Sequence, residues 1–143
     1  MKENLKVLLI EDDMDDVELL KEAFGDNKVQ YEMEIIMEGD RVKPFLQNAE
    51  FIPSIIIMDL NLPKTDGKEI LKDIKSTDAF KTIPLIVFST SSSKEDIEYA
   101  YTLGANKFIT KPTTIAGWNE TIEIIVHLAT TYTATNESLM SDN

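Results

Sequence analysis

Three short apolar runs stand out along the chain, and each of them ends at a polar residue. They cover residues 7–10, 55–58 and 85–88, and a weaker apolar pair at 108–109 leads towards a lysine. Between these runs, apolar residues recur at helical spacing. Short apolar strands that alternate with amphipathic helices are typical of a parallel sheet that helices cover on both faces. The pattern therefore predicts an α/β fold.

A further strand is predicted at residues 31–36. Apolar and charged residues alternate through most of this segment, as in a strand with one exposed face, so we place it at an edge of the sheet. With the edge strand second in the chain, five strands suit a doubly wound, flavodoxin-like parallel sheet of order 2-1-3-4-5. Ligands of such sheets bind beyond the carboxyl ends of the strands.

Glycines and capping residues mark the ends of the predicted helices. Gly25 follows the first helical pattern, at a position where helices commonly end. Asp66 and Ser92, each followed by a glutamate three residues later, predict the starts of two later helices. The helix at residues 40–48 is the weakest, because Pro44 lies near its first turn and cannot donate a backbone hydrogen bond.

The last predicted helix begins near Ile115 and is more apolar than a surface helix requires. Its apolar residues are Trp118, Ile122, Ile124, Ile125, Val126 and Ala129. Two interpretations stay open: contact with a partner, including a homodimer through the last helices, and ordinary core packing with scattered exposed aliphatic residues. From residue 133 onward the chain is rich in Ser, Thr, Asn and acid. We therefore predict one domain over residues 1–132 and a flexible C-terminal tail over residues 133–143.

The composition excludes several classes of protein. The chain has 143 residues and no cysteine, which excludes disulfides and thiolate metal sites and makes a reducing cytoplasm the expected location. Its 26 acidic and 14 basic residues give a net charge of −12, which would repel a nucleic-acid backbone. The apolar run near the N-terminus is too short for a signal peptide or a membrane span. We therefore expect a cytoplasmic protein that binds neither nucleic acid nor membrane.

Five polar residues follow the ends of the predicted strands. They are Glu11 and Asp12, then Asp59, Ser89 and Lys111. Since the carboxyl ends of parallel strands lie at one edge of a sheet, we expect these side chains to meet. Three carboxylates at close range raise one another's pKa unless a cation neutralises them, and oxygen ligands that leave room for water favour Mg²⁺. The sequence therefore predicts a magnesium site.

The acidic residues that follow Asp12 receive a different interpretation. For Asp13, Asp15 and Asp16 we favour solvated side chains at the start of a helix, where negative charge complements the helix dipole.

Asp59 is the candidate nucleophile of the cluster. An aspartate can attack phosphorus and form an aspartyl phosphate, provided that its own charge and that of the phosphoryl group are screened. A metal ion and Lys111 would supply the screening, and Ser89 would hydrogen-bond a phosphoryl oxygen. Because phosphoryl transfer requires mainly positioning and charge stabilisation, these groups are sufficient for it.

Four blocks of sequence resemble the receiver domain of bacterial two-component response regulators. They are IEDD at 10–13, MDLNLPKTDG at 58–67, VFST at 87–90 and TKP at 110–112, in the family's order and spacing. The resemblance implies that Asp59 is the phospho-acceptor and that Asp12, Asp59 and the backbone carbonyl of Asn61 bind Mg²⁺. It also implies that Glu11 acts through a metal-bound water.

The same resemblance implies roles in signalling for the later blocks. Ser89 corresponds to the switch hydroxyl, Lys111 to the phosphate-pairing lysine, and the peptide bond between Lys111 and Pro112 is expected to be cis. Phe108 occupies the place of the switch aromatic, where many relatives have tyrosine. The phosphodonor would be a sensor histidine kinase, and a downstream protein would contact the face made by helix 4, strand 5 and helix 5.

The resemblance also bears on the class of protein. A response regulator is not an enzyme in the ordinary sense, since it catalyses only its own phosphorylation and dephosphorylation. The sequence after Asp59 and the absence of a DNA-binding domain resemble single-domain regulators, including those paired with bacterial phytochromes.

Two other functions are compatible with the same fold. A flavin-binding protein should be rich in Ser, Thr and Gly after the first strand, where this chain has acidic residues that would repel a bound phosphate. A phosphatase that works through an aspartyl phosphate normally carries a second acid two residues after the nucleophile, and Asn61 occupies that position.

Overall fold

The computed structural model of the protein describes residues 4–48, 50–91 and 93–141, with side chains described through residue 131. The elements in chain order are β1 (Leu5–Ile10), α1 (Met14–Asp26), β2 (Tyr31–Ile36), a 3₁₀ turn (Gly39–Arg41), α2 (Val42–Gln47), β3 (Ile55–Met58), α3 (Gly67–Ser76), β4 (Leu85–Ser89), α4 (Lys94–Thr102), β5 (Lys107–Thr110) and α5 (Ile115–Ser141). The strands form one parallel sheet of order β2-β1-β3-β4-β5. The predicted fold class and strand order are confirmed.

The sheet is covered by helices on both faces, which explains its continuous apolar runs. The last four residues of β1 and all residues of β3 and β4 are buried. Successive side chains of a strand point to opposite faces, so each strand contributes to two cores. One core includes residues of α1 and α5 around Phe24, and the other includes residues of α2, α3 and α4 around Phe80.

The two edge strands differ from the central ones in what they expose. In β2, Glu32 and Glu34 are exposed and alternate with less exposed apolar residues, as predicted for an edge strand. At the opposite edge, the backbone amide of Phe108 in β5 donates a hydrogen bond to the hydroxyl of Tyr101 on α4, at 3.0 Å. A side chain from α4 therefore satisfies a backbone group at the edge of β5.

The helix starts follow from local side-chain chemistry. Asp13 caps α1, and Asp66 caps α3 by accepting a hydrogen bond from the amide of Lys68 at 2.9 Å. The cap of α4 is Ser93, one residue after the predicted Ser92, which lies outside the described residues. Two serines in sequence offer the same hydroxyl, so sequence spacing alone does not decide between them.

The ends of two predicted helices shift by one or two residues in the structure. The helix predicted at residues 40–48 runs from Val42 to Gln47. Pro44 is the third residue of α2, where a backbone amide has no partner within the helix, so the proline costs no hydrogen bond there. Gly25 lies inside α1, which ends one residue later and is followed by Asn27 as cap and by Lys28 with a φ of 58°. Lys28 therefore has the left-handed backbone conformation that a glycine often adopts after a helix.

The last helix packs its apolar side against the core. Ile122, Ile125 and Ala129 are buried, and Ile124 and Val126 are partly buried against the same cluster, which favours ordinary packing for these residues. The backbone is helical to Ser141, past residue 132, where the domain is predicted to end. Side chains from residue 132 onward lie outside the described part, so a flexible tail stays a prediction. Among the described residues, no helix is long and apolar enough to cross a membrane.

Gly67 provides a test of how tightly α3 is packed next to the end of β3. A Cβ at Gly67 would clash with the backbone carbonyl of Leu60, whereas a Cβ at Gly25 would meet no atom within 4 Å. We predict that Gly67→Ala lowers the free energy of unfolding by about 2 kcal/mol. The control Gly25→Ala should raise it by about 0.5–1 kcal/mol, because alanine favours a helix interior. Urea unfolding followed by circular dichroism measures the free energy of unfolding of both variants. Equal changes in the two variants would contradict the close contact between Gly67 and the Leu60 carbonyl.

Candidate functional site

The polar residues that follow the strands meet at the carboxyl edge of the sheet. Glu11 and Asp59 follow β1 and β3, which pair in register up to Ile10 and Met58. The sheet hydrogen bonds continue into the site, because the amide of Asp59 donates to the carbonyl of Ile10 at 3.0 Å and that of Lys111 donates to the carbonyl of Ser89 at 2.9 Å. The parallel register therefore fixes the backbone from which the site side chains extend.

The ammonium of Lys111 lies at the centre of three carboxylates. Its Nζ is 2.6 Å from Glu11 Oε1, 2.6 Å from Asp16 Oδ2 and 2.9 Å from Asp59 Oδ2. The side chains of Lys111, Glu11 and Asp59 are at most 9% exposed. An ammonium has three protons to donate, so these three acids engage all of them.

Asp16 is a partner of Lys111 that the sequence interpretation missed. We expected a solvated carboxylate at the start of α1, yet the side chain is only 20% exposed and turns towards the strand ends. No spacing in the sequence identifies this contact, because Asp12 and Asp13 precede the first helical residue, Met14, and the direction of the Asp16 side chain depends on how α1 packs on the sheet.

The backbone after β1 orients the Glu11 carboxylate. Glu11 Oε2 accepts hydrogen bonds from the amides of Asp12 at 3.1 Å and Asp13 at 3.4 Å, while Oε1 contacts Lys111. Burial raises the pKa of the Glu11 carboxyl to about 7, although the hydrogen bond and the charge of Lys111 act in the opposite direction. In the absence of a metal ion, the Glu11 carboxyl is therefore harder to ionise than that of an exposed glutamate.

Lys111 itself remains a firm positive charge. Burial acts to lower the pKa of its ammonium, but the hydrogen bonds that the ammonium donates to Asp16, Glu11 and Asp59 outweigh burial and raise the pKa above its ordinary value. Lys111 is therefore protonated throughout the physiological pH range.

Asp59 and Ser89 are connected through Asn61. Asp59 Oδ1 accepts a hydrogen bond from the amide of Asn61 at 2.8 Å, and the side-chain amide of Asn61 donates to Ser89 Oγ at 3.0 Å. The amide of Ser91 also donates to Ser89 Oγ, at 3.2 Å. In both contacts the hydroxyl oxygen of Ser89 is the acceptor, so its proton can be donated to an incoming oxygen.

Three carboxylates lie close enough together to hold a divalent metal ion. Glu11, Asp12 and Asp59 each offer an oxygen, and these atoms lie within 4.8 Å of one another. Asp12 is partly exposed, which gives an ion access from solvent. An all-oxygen donor set with room for water fits a hard divalent cation. The chemistry of the donors therefore agrees with the predicted metal site, whereas the ligand role of the Asn61 carbonyl stays a prediction.

Phe108 and Pro112 are the remaining residues for which the resemblance implies a role. Phe108 is half-buried and packs against the core on the α2, α3 and α4 face. The peptide bond between Lys111 and Pro112, which the resemblance implied to be cis, is trans, since no peptide bond of the described residues is cis. The trans isomer is lower in energy by about 0.5–1 kcal/mol even before proline, so it is the default without an opposing constraint.

Comparison with known proteins gives consistent matches. A family model described as the response regulator receiver domain matches residues 7–123. The response regulator Rcp1 of Synechocystis sp. is 36% identical over 110 residues, which are 73% of this chain and 75% of Rcp1. The probable methanogenesis regulatory protein FilR2 of Methanothrix harundinacea is 31% identical over 123 residues, which are 83% of this chain and 79% of FilR2.

Solved structures support the same relationship. The phosphorylated cyanobacterial phytochrome response regulator RcpA matches with a TM-score of 0.76 and 35% identity, over 86% of this chain and 91% of RcpA. The Mn²⁺-bound form of Rcp1 matches with a TM-score of 0.73 and 32% identity, over 85% of this chain and 91% of Rcp1. These matches do not favour the flavin-binding and phosphatase alternatives.

The acidic cluster predicts that a divalent cation stabilises the folded protein. Folding brings Glu11, Asp12 and Asp59 together, and a bound cation would relieve their repulsion. At a metal concentration one hundred times the dissociation constant, the gain in free energy of unfolding is about 2.7 kcal/mol. Thermal unfolding with and without MgCl₂ or MnCl₂ measures this gain.

Two variants make the measurement specific to the cluster. Asp12→Asn should lose most of the gain, because Asp12 offers one of the three metal-facing carboxylates. Asp15→Asn removes the same charge from an exposed position in the first turn of α1 and should keep it. An equal effect of the metal on wild type and on both variants would contradict the proposed location.

Proposed function

This chain belongs to the response regulator receiver domain family, and on that premise we propose that it transmits a signal by accepting a phosphoryl group on Asp59. One observation carries the proposal: Asp59 is a buried carboxylate at the carboxyl edge of the sheet, with Lys111 Nζ 2.9 Å from one of its oxygens. The ammonium can compensate negative charge on a phosphoryl group attached there.

The proposed reaction is a transfer from phosphohistidine to aspartate. An Asp59 oxygen forms a bond to phosphorus while the phosphorus–nitrogen bond breaks, and the imidazole retains the electron pair and takes up a proton. Lys111 compensates charge on the phosphoryl oxygens, and Ser89 donates its hydroxyl proton to one of them. The protein thus catalyses only its own phosphorylation and dephosphorylation.

Magnesium is the proposed resident ion. Asp12 and Asp59 would supply hard oxygen donors, Glu11 would act through a metal-bound water, and Asn61 would add its backbone carbonyl. When bound, Mg²⁺ compensates part of the negative charge of the carboxylates and the phosphoryl group. The Mn²⁺-bound structure of Rcp1 supports a divalent ion in this class of protein.

Phosphorylation is proposed to act through Ser89 and Phe108. The loop after β4 is tied to the Ser89 hydroxyl by the amide of Ser91, so a move of Ser89 towards the phosphoryl group draws this loop inward. Phe108, on the neighbouring strand β5, would turn into the space left. A few charge-assisted hydrogen bonds of roughly 1.5–3 kcal/mol each supply the roughly 5 kcal/mol that shifts such an equilibrium decisively.

The partners and location follow from this proposal. A sensor histidine kinase is the phosphodonor, and the match to RcpA and Rcp1 supports a kinase of the phytochrome type. A downstream protein contacts the face made by α4, β5 and α5, which changes with Phe108. A homodimer through the last helices remains part of the proposal, as does a cytoplasmic location. With a net charge of −12, no contact with nucleic acid is expected.

Chemical phosphorylation tests the acceptor. We predict that acetyl phosphate with MgCl₂ adds one phosphoryl group to the wild type and none to Asp59→Asn, because an amide oxygen cannot form the acyl phosphate. Asp78→Asn, an exposed substitution near the end of α3, should be modified like the wild type. Intact-protein mass spectrometry measures the modification. A phosphorylated Asp59→Asn would refute the proposal, and transfer from a panel of purified histidine kinases would identify the natural donor.

The switch has a separate test. We predict that Ser89→Ala still binds beryllofluoride, a phosphoryl mimic, but that the backbone amide signal of Phe108 no longer shifts, because the hydroxyl that draws the loop inward is missing. Nuclear magnetic resonance spectra with and without the mimic, at saturating Mg²⁺, measure this shift. Ser76→Ala, which removes an exposed hydroxyl from the end of α3, should respond like the wild type. A wild-type shift in Ser89→Ala would contradict the proposed role.

A further inference from the structure

Lys111 has one carboxylate partner that the proposed reaction does not use. Glu11 and Asp59 both belong to the cluster suited to a metal ion, and Asp59 is also the phospho-acceptor. Asp16 belongs to neither group, although its Oδ2 is as close to Lys111 Nζ as Glu11 is, at 2.6 Å. The position of Asp16 therefore requires an explanation of its own.

A metal ion in the acidic cluster would change the surroundings of Lys111. The ion would compete for the carboxylates of Glu11 and Asp59, which now face the ammonium, and its positive charge would repel the ammonium itself. After metal loading, Asp16 is the partner among these three carboxylates that remains fully available to Lys111. Without such a partner, a lysine side chain on a flexible stem has little to hold it near the phosphoryl group.

The carboxylate of Asp16 is well placed for this task. Asp16 lies in the first turn of α1, and its amide donates to the capping residue Asp13 at 3.4 Å. The next residue, Val17, and then Leu20 are buried against the sheet, so α1 cannot shift easily with respect to β1 and β3. The helix therefore presents the Asp16 carboxylate at a fixed position beside the strand ends.

We propose that Asp16 is the positioning residue of Lys111, which holds the ammonium within reach of the phosphoryl group while a divalent metal ion occupies the neighbouring carboxylates. The inference rests on the proposed function and extends it to a residue of α1. It predicts that Asp16 positions the Lys111 ammonium in the state in which both the metal ion and the phosphoryl group are bound.

The opposite role of Asp16 is a real physical alternative. Its negative charge lies near the site of the phosphoryl group and could weaken phosphoryl binding, by competing for Lys111 and by repelling the incoming dianion. The two roles predict opposite changes in affinity. Removal of a positioning residue weakens phosphoryl binding, whereas removal of an inhibitory charge strengthens it. The sign of the change in affinity therefore decides between them.

The experiment measures the affinity for beryllofluoride at saturating Mg²⁺. Binding is followed by calorimetry and by the fluorescence of Trp118, the only tryptophan of the chain. The Trp118 ring packs against Phe88 with centroids 5.5 Å apart, and Lys111 Nζ lies 5.9 Å from the Phe88 ring. We expect Asp16→Ala to weaken binding about tenfold, the loss of one charge-assisted hydrogen bond.

Two further variants separate positioning from general effects of charge and folding. Asp16→Asn keeps an oxygen acceptor for the ammonium, so it should recover part of the lost affinity, to within about threefold of the wild type. Asp15→Ala removes the same charge from the same turn of α1 at an exposed position, and it should bind like the wild type. Thermal unfolding of each variant identifies any loss of affinity that is caused by misfolding. If Asp16→Ala does not fold, Asp16→Asn still tests the positioning role.

The outcomes distinguish this inference from the proposed function. If the wild type does not bind beryllofluoride, the proposed function fails, whatever the Asp16 variants do. If the wild type binds, an affinity of Asp16→Ala equal to or higher than that of Asp15→Ala overturns the positioning role. An Asp16→Asn variant no better than Asp16→Ala overturns it as well, because the retained acceptor would then contribute nothing.

Discussion

The ion pairs of Lys111 organise the whole carboxyl edge of the sheet. A buried ammonium without partners would be too costly to keep charged, and so would the buried carboxylates around it. Each group is tolerated because the others are present: Glu11 follows β1, Asp59 follows β3, Lys111 follows β5 and Asp16 belongs to α1. The balance is incomplete, since one ammonium faces several carboxylates. This surplus of carboxylates is the physical basis of the proposed cation site.

The parallel sheet makes this arrangement reproducible. Its central strands are buried on both faces, so a shift in register would disturb two cores together. The backbone hydrogen bonds that continue past Ile10 and Ser89 carry the register into the site. Ser89 is the point at which this rigid framework meets the loop that precedes α4. A phosphoryl group on Asp59, as proposed, would therefore act beside the point at which this framework ends.

Sequence patterns predict the framework well because burial repeats along the chain. The apolar runs identified the strands. Because the strands are parallel, the polar residues that follow them were expected to be neighbours: Glu11, Asp12, Asp59, Ser89 and Lys111. Contacts made across space were not visible in this way. The bond of Asp16 to Lys111 depends on how α1 packs on the sheet, and that of Tyr101 to Phe108 on how α4 lies beside β5. The isomer before Pro112 and the choice of Ser93 as cap depend on small energy differences that no pattern of residues records.

The hydroxyl of Tyr101 also limits the ways in which the protein can associate. An open sheet normally has two edges whose unpaired backbone groups invite strands from other chains and lead to aggregation. Here the Tyr101 hydroxyl accepts a hydrogen bond from the backbone amide of Phe108 in the edge strand β5. At the other edge, the exposed Glu32 and Glu34 place negative charge along β2. Both features make strand addition at these edges less favourable. Under the proposed function, a partner protein would then contact the side chains of the face made by α4, β5 and α5 rather than add a strand to β5.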